Sequence, residues 1–175
     1  MDKENEMKQD KEIPTGQGKL NDEETRYLEQ WMEKAEQEED PDEAFAIYQE
    51  TETIYLYRGI LLDQRLGGLY GRMMMAALDA GNRKEALYCG KRAVEIYEQL
   101  NGYERECAVS YTNLGQVYLS YPGLDPDRLE AAMENLKKGE EMFPSEDVED
   151  PRYRANLTMQ DRVRQIFKEM ESFYN

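Results

Sequence analysis

The chain of 175 residues carries 38 acidic and 22 basic side chains and no histidine, which gives a formal net charge of −16. This excess of negative charge disfavours nucleic acid and anionic membranes as partners and favours a basic protein or peptide. Because histidine is the commonest general base and metal ligand, its absence favours a non-catalytic protein with no metal and no cofactor.

Secretion and membrane insertion are also disfavoured by the sequence. No window approaches 18 consecutive apolar residues, as a membrane-spanning helix would require. Residues 1–19 contain no apolar core like that of a signal peptide. The two cysteines, Cys89 and Cys107, do not indicate a disulfide framework and are expected to be small buried hydrophobic side chains. We therefore expect a cytoplasmic location.

The segment 1–20 is polar, mixed in charge and interrupted by Pro14, Gly16 and Gly18. It is predicted to form a disordered tail. Residues 21–175 are predicted to form one all-α domain, because no stretch shows the alternation of apolar and polar residues that is typical of a strand. About seven helices joined by short loops are expected, so that chain neighbours run antiparallel.

Several helix starts are marked by a capping side chain followed by proline at the first position or glutamate at the third. These starts are Asn21, Asp40-Pro41, Asn82, Asp125-Pro126 and Asp150-Pro151. The second helix is predicted to run to about Arg65, and Gly67-Gly68 is predicted to break the chain before the third helix. The last helix carries an apolar stripe that includes Leu157, Val163, Phe167 and Met170.

One set of mostly apolar positions, at offsets 0, 3, 4 and 7, occurs three times. The sets are Leu28–Trp31–Met32–Ala35, Tyr70–Met73–Met74–Ala77 and Tyr111–Leu114–Gly115–Tyr118. These offsets place four side chains on one face of a helix. The starts of the sets, at Leu28, Tyr70 and Tyr111, are separated by intervals of 42 and 41. A period near 40 indicates a repeating structural unit.

The helices that follow these sets complete a resemblance to the tetratricopeptide repeat (TPR). In that family a bulky residue, Leu, Gly and Tyr on the first helix of a pair are followed by Ala, an aromatic residue and Ala on the second. Small residues at these positions let helix backbones approach closely. The corresponding second-helix positions here are Ala44, Tyr48 and Thr51, then Ala86, Gly90 and Ala93, then Ala132, Leu136, Gly139 and Pro144.

The spacing between the two helices of a pair carries much of this resemblance. Ala35 and Ala44, like Ala77 and Ala86, are separated by an interval of nine, which is the family's interval. The interval from Tyr118 to Ala132 is 14, so about five residues, near 121–125, are inserted in the third unit. The period of about 42 exceeds the family's 34, and the surplus falls after the second helix of a pair.

The resemblance implies a right-handed solenoid of helical hairpins with three helix pairs and a C-terminal capping helix. The repeat units would span about 21–66, 67–106 and 107–150, and the capping helix about 151–174. The family's concave groove is lined by first-helix residues that lie between the packing positions. Carried over to this sequence, the candidate groove residues are Glu29, Glu33, Arg72, Met75, Leu78, Asn113 and Gln116.

The charges at these positions disfavour one use of the family's groove, the gripping of a C-terminal carboxylate. Glu29 and Glu33 would repel such a group, although Arg72 and Asn113 occupy plausible positions for it. A segment with Lys or Arg at one end and apolar side chains at the other fits better. Met73 and Met74 are interpreted, together with Met75, mainly as core packing.

The function expected from the resemblance is that of a non-catalytic adaptor, which binds an extended or helical segment of a partner protein. Two alternatives remain open at this point. One is a small acidic cytoplasmic chaperone for a dedicated client, which could be a secreted protein. The other is an acidic inhibitor or immunity-type protein that masks a basic surface. The sequence does not predict an oligomeric state.

Overall fold

The computed structural model describes residues 18–174, so most of the predicted disordered tail lies outside the described residues. The described chain consists of seven α-helices and one short 3-10 helix, with no strand between residues 18 and 174. In chain order the helices are α1 Asp22–Gln37, α2 Pro41–Tyr57, α3 Gln64–Asp79, α4 Arg83–Tyr97, α5 Glu104–Leu119, α6 Pro126–Met142 and α7 Pro151–Tyr174, with the 3-10 helix Ser145–Glu149 before α7. The expected all-α class is confirmed.

The predicted helix starts are confirmed by their caps. At α1 the side chain of Asn21 accepts a hydrogen bond from the Glu24 amide at 2.8 Å, and the Asn21 amide donates to the Glu24 carboxylate at 2.9 Å. This reciprocal pair satisfies two backbone donors at the end of the helix. Asp40 and Asp125 each cap a helix whose first residue is proline. Proline is well tolerated there, because the amide hydrogen that it lacks would have no partner within the helix.

Gly67-Gly68 does not break the chain, so that prediction is wrong. The second helix ends at Tyr57, and the chain turns at Gly59, whose φ is +66°. The third helix then begins at Gln64, capped by Asp63, and contains both glycines. A Cβ atom on Gly67 would lie 2.8 Å from the Cζ of Tyr97. Gly67 therefore allows close packing of α3 on α4.

The main contacts between helices join chain neighbours, from α1 with α2 through α6 with α7, together with α5 and α7. The three sets of repeated positions supply much of the core, because nine of their twelve residues are buried and Trp31, Met32 and Tyr118 are half-buried. None of the described helices has the length and apolar character needed to cross a bilayer.

Polar side chains hold the last helix against the rest of the protein as much as apolar ones do. Between residues 151 and 172, its fully buried residues are Asn156, Gln160 and Val163, whereas Leu157 and Phe167 of the predicted apolar stripe are only half-buried. The Asn156 amide donates to the Thr112 hydroxyl at 2.7 Å and to the Leu136 carbonyl at 2.9 Å. These hydrogen bonds fix α7 against both α5 and α6.

The start of α7 is held by a buried carboxylate, Asp150. It accepts a hydrogen bond from the Arg152 amide at 2.8 Å and ion pairs with Arg152 of the same helix and Arg105 of α5. Hydrogen bonds from the Arg152 side chain, then from Arg105 and the Arg152 amide, hold the pKa of Asp150 far below its usual range. Ionised Asp150 therefore favours the folded state.

Because the folded pKa of Asp150 is depressed, its contribution to stability is present above its unfolded pKa of about 4 and is lost as the pH falls below it. We expect Asp150→Asn, which keeps the ability to cap, to lose less stability than the wild type between pH 5 and pH 3. Urea unfolding midpoints measured across that range test this. Asp42→Asn, an exposed acid at the start of α2, is the matched control. Equal slopes for wild type and Asp150→Asn would contradict the assigned role.

Candidate binding groove

Two adjoining cavities are lined mainly by α1, α3 and α5. The first, of about 510 Å³, lies between the end of α1, the start of α2, most of α3 and the first half of α5. The second, of about 520 Å³, lies between α1, the start of α3 and the α4–α5 connection. Both cavities are bordered by Glu36, Gly68, Arg72, Tyr97 and Glu106. They form one continuous depression, which we call the groove.

Five of the seven candidate residues line this groove. Glu29 and Glu33 border the second cavity, Met75 and Asn113 border the first, and Arg72 borders both. The structure thus brings together residues from α1, α3 and α5 that are far apart in the sequence.

The other two candidates, Leu78 and Gln116, border neither cavity. Leu78 lies one turn beyond Met75 and is half-buried against the core, so its side chain is used in packing. Of the methionine triplet, Met73 and Met74 are buried, which agrees with their interpretation as core residues. Met75 is half-buried and faces the first cavity.

Several groove residues come from places that the sequence reasoning did not consider. Tyr97, at the end of α4, borders both cavities, and its hydroxyl donates to the Gln64 carbonyl at 3.1 Å. Glu106 at the start of α5 also borders both, and Tyr103 borders the second. No local pattern in the sequence pointed to these residues, because the contact between Gly67 and the Tyr97 ring is visible only in the structure.

Negative charge predominates around the groove. Seven carboxylates and three arginines border it: Glu29, Glu33, Glu36, Glu38, Glu39, Asp79 and Glu106, with Arg65, Arg72 and Arg152. The Nε of Arg72 lies 2.6 Å from a Glu36 oxygen, and Arg152 is paired with Asp150. The groove therefore retains an excess of carboxylates, which favours a cationic group on a partner.

The floor of the first cavity includes two helical glycines that packing does not require. A Cβ atom on Gly71 would meet nothing within 4 Å, and one on Gly68 would make only ordinary contacts, 3.4 Å from Arg72 and 3.5 Å from Tyr97. A glycine inside a helix costs about 1 kcal/mol relative to alanine. At Gly71 this cost is not offset by any close approach within the described chain.

The chemistry of the groove suits binding by apolar contact and charge. Burial raises the pKa of the Tyr55 and Tyr97 hydroxyls to about 12, so both rings stay neutral at physiological pH and offer apolar faces. Within residues 18–174 no three acidic or cysteine side chains converge as metal ligands would.

Cys89 and Cys107 are fully buried away from the groove as free thiols, as expected. Burial raises their pKa values to about 12 and about 11, and nearby carboxylates add to the shift. Since the thiolate is the reactive form, we expect both to react with a disulfide reagent at pH 8 about a hundredfold or more slowly than in the urea-unfolded chain. Absorbance of the released thiol measures this. Rapid reaction of the folded protein would show that the packing around Cys89 and Cys107 opens readily.

Comparison with models of known protein families gives no match, and comparison with curated protein sequences gives none either.

Proposed function

We propose that the chain forms a TPR-like right-handed solenoid of three helix pairs, capped by α7, and that it acts as a non-catalytic protein-binding module in the cytoplasm. Packing in chain order, with a further contact between α5 and α7, supports this arrangement. Support also comes from Gly115, where a Cβ atom would lie 2.7 Å from Leu136. A glycine at this position serves the same close approach of paired helices as in the TPR family.

The observation that carries the proposed function is the groove itself. It combines an apolar floor, which includes Met75 and Tyr97, with carboxylates that outnumber the arginines around it. The proposed partner is therefore a segment of another protein that carries Lys or Arg beside apolar side chains. Apolar contact would supply most of the affinity, and the charges would set orientation and speed of association.

A displayed library of random nonapeptides, selected against the wild-type protein, tests the proposal. We expect enrichment of basic and apolar residues, and at least a tenfold loss of affinity, equivalent to about 1.4 kcal/mol, on Met75→Glu or Glu33→Lys. The matched controls are Leu56→Glu and Glu50→Lys, which introduce the same side chains at exposed positions outside the groove. They should bind like the wild type.

The same experiment separates the proposal from an acidic protein that masks a basic surface. Binding through the outer face would be reduced by the control changes rather than by the groove changes, and would weaken steeply with salt. If no peptide is enriched, or if every groove variant retains its peptides, the proposed function is wrong.

A further inference from the structure

The helical glycines of this protein differ in what surrounds them. A Cβ atom would lie at 3.0 Å or less from a neighbouring side chain or backbone atom at Gly67, Gly90, Gly115 and Gly139. At Gly71 the same atom would meet nothing within 4 Å. The first four glycines are therefore explained by helix packing. Gly71 lowers the helix propensity of α3, and no close packing within the described residues depends on it. Another use of glycine is to let a ligand approach the backbone closely.

Gly71 lies where such an approach would matter. It borders the first cavity, one turn after Gly67 and one turn before Met75 on the same face of α3. At Gly71 no side chain covers the backbone of α3 on the cavity floor. This uncovered stretch lies between the Tyr97 ring at one end and the Met75 side chain at the other. A main chain from outside could touch α3 here at a distance that any side chain would prevent.

Carboxylates without a cation lie around the same cavity. Glu38, Glu39 and Asp79 border it, and within residues 18–174 none of the three has an ion-pair partner. The Glu38 side chain accepts a hydrogen bond from the Asp40 amide, which leaves its charge uncompensated. A lysine or arginine side chain entering the cavity would meet these groups in charge-assisted hydrogen bonds.

An ion pair between two of the helices that line the groove favours an extended segment over a helix. This pair, between Arg72 of α3 and Glu36 of α1, borders both cavities. A helix with its side chains is about 10–12 Å across, so it would have to displace this pair. An extended chain has side chains that alternate in direction and can place them in the cavities on either side of the pair.

From these observations we infer that the partner is an extended segment whose main chain crosses α3 over Gly71, with a lysine or arginine side chain directed to the carboxylates of Glu38, Glu39 and Asp79. This inference depends on the proposed function, and it adds the point of crossing and the side chain that is selected.

The test uses the nonapeptides selected from the displayed library, synthesised and titrated against variants of the full-length protein. Gly71→Ala should raise the melting temperature by about 1–4 °C and still weaken peptide binding about threefold or more. Gly71→Leu should weaken it at least tenfold. Ala46→Leu, at an exposed position of α2 outside both cavities, is the matched control and should bind like the wild type.

A second variant tests the charge. Asp79→Asn, selected against the same library, should lose at least half of the wild-type enrichment for Lys and Arg, and the apolar preference should remain.

The outcomes separate this inference from the proposed function. If Met75→Glu abolishes binding while Gly71→Leu binds like the wild type, the crossing point is wrong and the groove function stands. If the wild type enriches acidic peptides, or Asp79→Asn leaves the basic preference unchanged, the assigned cation site is wrong. If no peptide is enriched at all, both proposals fail. Because a Cβ atom fits at Gly71, Gly71→Ala gives a folded variant even where Gly71→Leu does not.

Discussion

Replacing Gly139 with alanine should destabilise the protein by about 2 kcal/mol, although alanine is the better helix former. The added Cβ atom would lie 2.9 Å from the Ala108 carbonyl oxygen, 2.8 Å from the Thr112 hydroxyl and 3.0 Å from the Asn156 amide nitrogen. The first is backbone of α5, and the other two hydrogen bond to each other, so none can move freely. Overpacking of this kind costs about 1–3 kcal/mol, and the loss of that hydrogen bond adds about 1 kcal/mol. The gain in helix propensity offsets about 1 kcal/mol.

Gly71→Ala is the matched control for this prediction, because it makes the same change in another helix at a position with open space. It should stabilise the protein by about 0.5–1 kcal/mol. Urea unfolding monitored by circular dichroism gives both values, and the two variants should shift the midpoint in opposite directions. If Gly139→Ala were as stable as Gly71→Ala, α6 would not pack against α5 as closely at Gly139 as the structure indicates.

Asn156→Leu should have the second large effect, a loss of about 2–3 kcal/mol. Asn156 has no exposed surface. It donates to Thr112 and Leu136 and accepts from the Gln160 amide at 2.9 Å. Leucine has a similar volume but removes all three hydrogen bonds, each worth about 1 kcal/mol, and leaves buried polar groups with fewer partners. The substitution should mainly weaken the packing of α7 against α5 and α6.

Hydrogen exchange distinguishes this local effect from a general one. In Asn156→Leu the amides of α7 should lose protection to a larger extent than those of α3 and α4. Thr158→Ala is the control, because Thr158 is an exposed residue of the same helix whose hydroxyl bonds only to the Arg154 carbonyl. It should change the stability by less than about 0.5 kcal/mol. Uniform loss of protection along the chain would contradict a separate role for α7.

The local signals in the sequence were sufficient for five of the seven helix starts and for much of the core. Asn21 and Glu24 form the reciprocal cap that their spacing predicts, and proline follows the caps Asp40 and Asp125. These features depend on residues within one turn of each other, so the sequence contains all the information needed. The stripe that includes Tyr70 and Met74 is buried for the same reason, since its spacing matches the helical period.

The features that the sequence did not predict depend on groups far away in the chain. Gly67 looked like a helix break, because its use becomes visible only with the Tyr97 ring against it. Asn156 and Gln160 were not part of the apolar stripe predicted for α7, and their burial depends on hydrogen-bond partners on α5 and α6. In the groove, Tyr97 and Glu106 were missed since they lie at the end of α4 and the start of α5, outside the first-helix positions from which the groove was predicted. Long-range complementarity of this kind has no local pattern.

The order of contacts along the chain has a mechanical consequence. Since α1, α3 and α5 are held mainly through the helices between them, small rotations at successive interfaces should add, and we expect bending to be a soft motion of the molecule. The groove is lined by these same helices. A segment bound there would join elements that the chain joins only indirectly, and would stiffen the bend. The loss of conformational entropy on stiffening would then reduce the net binding free energy. The remaining binding free energy would stabilise several helix pairs together rather than one.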